Sequence, residues 1–254
     1  MSITFLIVMF FVAVAAGFIN VVSGGGGFLS ITALLISGLP PANALATNKM
    51  QALGSSLTSG IYFLRQGRID LKNNKWVFIA TFFGAASGTI FVQFIDPTFL
   101  KKLLPGLIIS VTLYFIFAPD ITKSKEKQRV SFFLFSFICG GGVGFYDGFL
   151  GAGAGAGAGT FYTISYMLLL GYRIDKAQIH SNFLNLASNT SSVIFFIAGG
   201  KMMWSLGLLM FAGQAIGARL GAGVVLSSGL KVIKPMIILV SAGISTKMLF
   251  DMYF

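Results

Sequence analysis

Three ionisable residues stand inside otherwise apolar stretches of this sequence: Lys49, Asp147 and His180. An ionisable group at membrane depth is costly, so it pairs, lines a wet path or moves a proton. Asp147, in GFYDGFLG, could carry a proton or bind a cation. Its plainer role is a carboxylate that caps the glycine-rich backbone after it. Lys49 could attract an anion, or it could snorkel its ammonium to the outer interface. His180 is the only histidine, and it is either a proton-coupling group or a hydrogen-bonded packing residue. Arg219 is expected to snorkel at the inner end of its helix.

Polar residues without charge collect around two of these. Asn43, Thr47, Asn48, Gln51, Ser55 and Ser56 accompany Lys49, and Ser181, Asn182, Asn185, Ser188 and Asn189 follow His180. Thr47, Gln51 and Ser55 are four apart and share one helix face, as do Ser181, Asn185 and Ser188. An interhelical hydrogen bond, worth about 0.6 kcal/mol, explains any single one of them. Taken as a symmetric set, they are expected to line a cavity. Tyr146, Phe161 and Tyr162 are candidate neighbours.

Each set follows a run of glycines: VVSGGGGFLS at 21–30 and FLGAGAGAGAGTF at 149–161. Glycine inside a helix costs roughly 1 kcal/mol relative to alanine, so both runs are expected to break a helix. The apolar stretches after them, 28–38 and 160–170, make about 16 Å of helix, half of a ~30 Å hydrocarbon core. A glycine tract before a half-helix frees backbone N–H groups and lets a ligand approach. Two such N-termini aimed at one place form an anion site of the kind found at transporter midplanes. The expected donors are Gly24, Gly25, Gly26 and Gly27 with Gly153, Gly155, Gly157 and Gly159, aided by Thr47, Asn48, Lys49, Gln51, His180, Ser181, Asn182 and Asn185. Close helix packing by small residues is the competing explanation.

Composition says what kind of elements must hold these groups. Of 254 residues, 56% are hydrophobic and 10% charged, against about 25% charged in a soluble domain. The chain is therefore expected to be an all-α polytopic membrane protein. Period-2 alternation, the mark of an outer-membrane barrel, is absent. The net charge of +11 sits in short loops between apolar runs, where it sets topology and meets headgroups; no nucleic-acid partner is expected. No Lys or Arg precedes the first apolar run, which speaks against a cleaved signal peptide. One cysteine, Cys139, permits no intrachain disulfide and is expected to be a small buried residue. One His and one Cys cannot build a familiar zinc site, and no P-loop or dinucleotide motif appears. No metal, cofactor or enzymatic activity is expected.

The chain also repeats itself. GGGGFLSITALLISGLPPANALATNKMQALGSS (24–56) aligns with GAGTFYTISYMLLLGYRIDKAQIHSNFLNLASN (157–189). Gly38 falls on Gly171, Ala44 on Ala177, Thr47 on His180, Ser55 on Ser188 and Gly67 on Gly200; Asn20 roughly matches Asp147. Two homologous halves are expected, 1–124 and 125–254, each with about four full helices plus a half-helix. The helices are expected near 3–22, 43–64, 76–95 and 103–118, then 131–149, 177–198, 204–226 and 234–251. Two topologies compete. Each short stretch is either part of a fifth, broken crossing with the halves inverted, or a re-entrant dip with the halves parallel. Lys and Arg mark cytoplasmic loops. Loops 65–75 and 119–130 are inside in both arrangements; Arg173, Lys176, Lys231 and Lys234 favour inversion, with both termini and Lys201 outside. Lys101 and Lys102 fit neither.

Those same stretches, with GFYDGFLG, GGKMMW, GQAIGARLGA and KPMIILVSA, resemble the TauE/SafE family, and within it the YfcA-type branch, in order along nearly the whole chain. The resemblance implies a bacterial inner-membrane secondary transporter, an exporter of sulfite or an organosulfonate such as sulfoacetate. Such a protein would work by alternating access between its two halves, with possible proton coupling through Asp147 or His180 and a possible homodimer. A passive anion channel and a non-transport scaffold or assembly protein are the alternatives. One departure stands out: the family's GFxGPGxG motif has proline where this chain has Ala152, so the second half-helix start is expected to shift by up to a turn.

Overall fold

The computed structural model describes residues 2–96, 98–99, 127–150 and 158–228. Among them there is helix and no strand. The first half supplies α1 (Ile3–Ser23), α2 (Gly26–Ile36), α3 (Pro41–Arg65) and α4 (Leu71–Gln93). The second supplies α5 (Phe132–Phe135), a π-helical segment Ser136–Val143, α6 (Gly144–Leu150), α7 (Ala158–Leu170), α8 (Ile174–Ala198) and α9 (Trp204–Ser228). The helices expected near 103–118 and 234–251, the boundary at 124, and Gly153, Gly155 and Gly157 lie outside the described residues.

Local chemistry sets the ends. Ser2, Asp70 and Ser131 accept backbone N–H groups at the starts of α1, α4 and α5, satisfying donors a helix leaves free. Gly38, Gly67, Gly171 and Gly200 have φ of +85°, +64°, +67° and +67°, the left-handed stop that glycine adopts without strain. These four are two of the sequence pairs, Gly38 with Gly171 and Gly67 with Gly200. α3 and α8 are both 25 residues long.

Helices α1, α4, α9 and the combined span Phe132–Phe149 are long and apolar enough to cross a membrane. Phe11, Phe83, Phe94, Trp76 and Trp204 are exposed on them or beside their ends, as lipid-facing side chains should be. α3 and α8 are equally long but polar, and they take the centre. Residues 44–52 and 177–185 are buried all round.

Contacts fix the helix directions. Phe10, Val14 and Phe18 of α1 meet Gly213, Gly217 and Gly221 of α9, and Met50 and Gly54 of α3 meet Gly207 and Phe211, so α1, α3 and α9 run parallel. Val77, Thr81 and Ala85 of α4 meet Gly140, Gly144 and Gly148. Phe78 and Thr89 meet Phe183 and Ser192 of α8. α4, the π–α6 span and α8 therefore also run parallel to each other. The two sets oppose one another, since Ser59 meets Asn182 while Ser56 meets Asn189.

The two half-helices double back. Gly26 touches Ala16 and Asn20, and Ile31 and Leu34 pack with Met9 and Ala13. Likewise Tyr162 reaches Asp147, Tyr166 packs on Phe135, and the Leu169 carbonyl accepts the Arg129 N–H. α2 and α7 thus return along the helices before them, while α1, α3 and α4 run opposite to their counterparts in the sequence alignment, the π–α6 span, α8 and α9.

Basic residues gather at one end. The Asp70 N–H donates to His180, and Gly171 abuts Lys127. Those contacts bring loop 65–75, residues 127–131 and the start of α8 together, with Arg65, Arg68, Lys72, Lys75, Arg129, Arg173 and Lys176. Asn43 donates to the Lys201 carbonyl at the other end. The positive-inside rule assigns the basic end to the cytoplasm.

Candidate functional site

Each helix of the centre brings one part of the site. α1 and α2 meet at the first glycine tract, and α7 begins beside it: a Cβ on Gly159 would lie 2.8 Å from the Gly24 Cα. Only two glycines allow backbones this close. The starts of α2 and α7 are thus brought to one level of the bundle. Asn48 of α3 donates to the Gly27 carbonyl at 2.9 Å and to Ser30 Oγ at 3.0 Å. Ser181 of α8 makes the matching bond to the Gly159 carbonyl at 2.6 Å. Both bonds lock a half-helix against a central helix.

Between these elements lies a closed ion pair. Lys49 Nζ sits 2.5 Å from Asp147 Oδ1, with side chains 3% and 5% exposed. The other carboxylate oxygen accepts Ser188 Oγ–H and, at 3.5 Å, the Tyr162 hydroxyl. Lys49 also donates to Asn189 Oδ1 at 3.4 Å. So Lys49 does not snorkel, and it and Asp147 hold each other; the glycine tract that Asp147 was expected to cap lies outside the described residues. Taking two charges out of water costs several kcal/mol per ion unless pairing and further hydrogen bonds offset it. Here both are present.

A cavity of about 20 Å³ adjoins the pair, lined by Asn20, Gly24, Gly27, Asn48, Lys49, Ala52, Asp147, Ala158, Gly159, Asn185 and Asn189. That is room for about one water. Asn48 Oδ1, fully buried, finds no hydrogen-bond partner among the described residues.

The structure brings Gly24, Gly27, Asn48, Lys49, Gly159, Asn185 and Asp147 together. Gly25 and Gly26 form the start of α2 beside them. Thr47 and Gln51 are buried on α3 but do not line the cavity; Thr47 Oγ1 and both Gln51 amide atoms find no partner among the described residues. Asn182 is occupied elsewhere, donating to the Val21 and Gln178 carbonyls. His180 lies towards the basic end, away from the cavity. Its Nε2 accepts the Asp70 N–H at 3.2 Å and its Nδ1 lies 2.8 Å from the Lys176 carbonyl. Both nitrogens are used, which assigns a neutral ring with the proton on Nδ1. Tyr166 and Tyr172 pack around it. Arg219 lays its guanidinium over the Tyr62 ring, 4.3 Å from the centroid.

Asn20 and Asn189 also line the cavity; the sequence marks Asn20 as the partner position of Asp147 and Asn189 as one of the polar set that follows His180. The π-helical segment before α6 had a signal, the tandem Gly140–Gly142, that helical periodicity alone does not interpret. π turns inside helices occur often at functional sites, and this one sets the register that delivers Asp147.

The sequence profile of the family described as "Sulfite exporter TauE/SafE" matches residues 9–248. "Probable membrane transporter protein YfcA" of Escherichia coli K12 is 44% identical over 244 residues, 96% of this chain and 89% of that protein. A "Probable membrane transporter protein" of Haemophilus influenzae is 40% identical over 250 residues, 98% of this chain and 96% of its own. One from Sinorhizobium, "Probable membrane transporter protein ORF9", is 35% identical over 243 residues, 96% and 92% of the two chains. No solved structure matches.

Proposed function

We propose, for a chain that belongs to the TauE/SafE sulfite exporter family, that it exports a small sulfur oxyanion, sulfite or an organosulfonate, by alternating access. The family and its relatives place the chain among multi-pass bacterial membrane transporters; the substrate and the mechanism are the proposal. One observation carries it: a buried ammonium, Lys49, stands where two half-helix N-termini meet. Lys49 supplies the charge, N–H groups at the start of α2 supply donors, and Asn48 and Asn185 supply side-chain contacts. The opposed directions of matching helices support two inverted repeats, 1–124 and 125–254, that rock against each other. A water-sized cavity supports a carrier in its closed state over a standing pore.

The test is thermal stability of the purified protein in detergent against sulfite, sulfoacetate, sulfate, chloride and acetate at constant ionic strength. A ligand at 100 times its Kd stabilises by about 2.7 kcal/mol. The midpoint is expected to rise with sulfite or sulfoacetate, and not for Lys49→Met. No rise with either anion would overturn the anion assignment.

A further inference from the structure

The two central charges are distributed unequally between the halves. Lys49 stands on α3, and the matching position on α8 is Asn182; Asp147 stands on α6, and its counterpart on α1 is Asn20. Each half thus carries one charge and one asparagine. Even the hydrogen bonds repeat: Asn20 donates to Ser55 as Ser188 donates to Asp147. The pair is therefore a link across the two halves, made from one charge of each, in a site otherwise built twice.

This pair occupies the space an anion would need. The cavity beside it holds about one water, so an oxyanion reaches Lys49 Nζ only if the Asp147 carboxylate leaves it. An ionised Asp147 beside a bound anion would put two negative charges against one ammonium in a water-poor site. Among the described residues, the groups facing Asp147 offer no second cation: they are Lys49 from α3, Ser188 and Asn189 from α8, Tyr162 from α7, Asn20 from α1 and Tyr146 beside it. Residues 151–157, next in the chain, are only glycine and alanine.

On the reading that this cavity binds the anion, we infer that anion and proton enter together: Lys49 exchanges its carboxylate for the anion as Asp147 takes up one proton. Charge balances. Before the exchange, ammonium and carboxylate sum to zero; afterwards ammonium and a monovalent anionic head sum to zero, with a neutral carboxylic acid beside them. The proton comes from the water on whichever side the cavity opens. Ser188, which donates to the carboxylate now, can accept from the acid. Anion and proton then cross in the same direction.

The experiment is calorimetric titration of the full chain in detergent with methanesulfonate, a monovalent sulfonate that does not titrate near neutral pH, in buffers of different ionisation enthalpy. About one proton is expected to be taken up per methanesulfonate, and Kd to weaken about tenfold per pH unit. In Asp147→Asn, binding is expected with no proton uptake and a flat pH profile. That variant leaves Lys49 buried and unpaired, so the double variant Lys49→Asn/Asp147→Asn, copying the asparagines of the matching positions, is the folding control; it is expected to be stable and to bind at least tenfold more weakly. Binding by the wild type without proton uptake would overturn the coupling and leave the anion site standing. Proton uptake that persists in Asp147→Asn would overturn the assignment to Asp147. No binding of methanesulfonate to the folded wild type would remove the sulfonate site, and the coupling with it.

Discussion

Single residues show where the sequence spoke and where it fell silent. Lys49, Asp147 and His180 stand out because charge is rare in this composition, but which of them meet is a property of three dimensions. Lys49 and Asp147 lie on different halves, and no helical spacing connects them. His180 becomes intelligible only through its two partners, the Asp70 N–H and the Lys176 carbonyl, and the first of these belongs to a distant loop. Asp70 itself carries a prediction. The hydrogen bond from the Asn73 side chain, opposed by partial burial and helped by the Asn73 N–H and the charge of Lys176, holds its carboxyl below the usual carboxylate range. A depressed acid stabilises the fold above its unfolded pKa, and the contribution is lost as pH falls through the folded value. The thermal midpoint of Asp70→Asn is expected to start lower at neutral pH and to converge on the wild type under acid conditions. Curves that stay parallel through the carboxylate range would contradict this.

At the scale of elements, glycine is the recurring device, and it does two different things. In the tract at 24–27 it brings the turn before α2 against the start of α7. Elsewhere it lets helices touch. A Cβ on Gly148 would lie 2.0 Å from the Ala85 carbonyl, and one on Gly217 would lie 1.9 Å from the Val14 carbonyl, whereas a Cβ on Gly142 meets nothing within 4 Å. Gly148→Ala is expected to push α6 off α4, lower the thermal midpoint sharply and displace Asp147 from Lys49. Gly142→Ala is expected to leave the midpoint and the elution profile unchanged. Equal behaviour of the two variants in a thermal scan would contradict the packing described. Helix positions were legible because apolar run length and glycine breaks are local signals: α3 was expected at 43–64 and forms Pro41–Arg65. The doubling back of α2 was not, because a half-helix reads the same whether it goes on or returns. Contacts such as those of Ile31 with the first turns of α1 decide it.

For the whole molecule, the concentration of basic residues at one end predicts sidedness. Cys139 is free and buried, so single exposed cysteines can be read against a quiet background. In intact cells, Ala198→Cys is expected to react with a membrane-impermeant maleimide, and Lys72→Cys only after lysis. The reverse pattern would invert the orientation. The central helices α3 and α8 are the most polar long helices and the most buried. That is legible in the sequence as a pair of polar-faced segments, but their antiparallel contact is not.

The cancellation of Lys49 by Asp147 has an electrical consequence. Moving one elementary charge through 100 mV is worth about 2.3 kcal/mol. A carrier with a lone central lysine would feel that force on every empty return. In the alternating-access cycle proposed above, the carboxylate leaves the empty centre with no net charge to be pushed, so the membrane voltage would have no grip on the return stroke. The resting potential of the cell would then leave the unloaded protein free to reset.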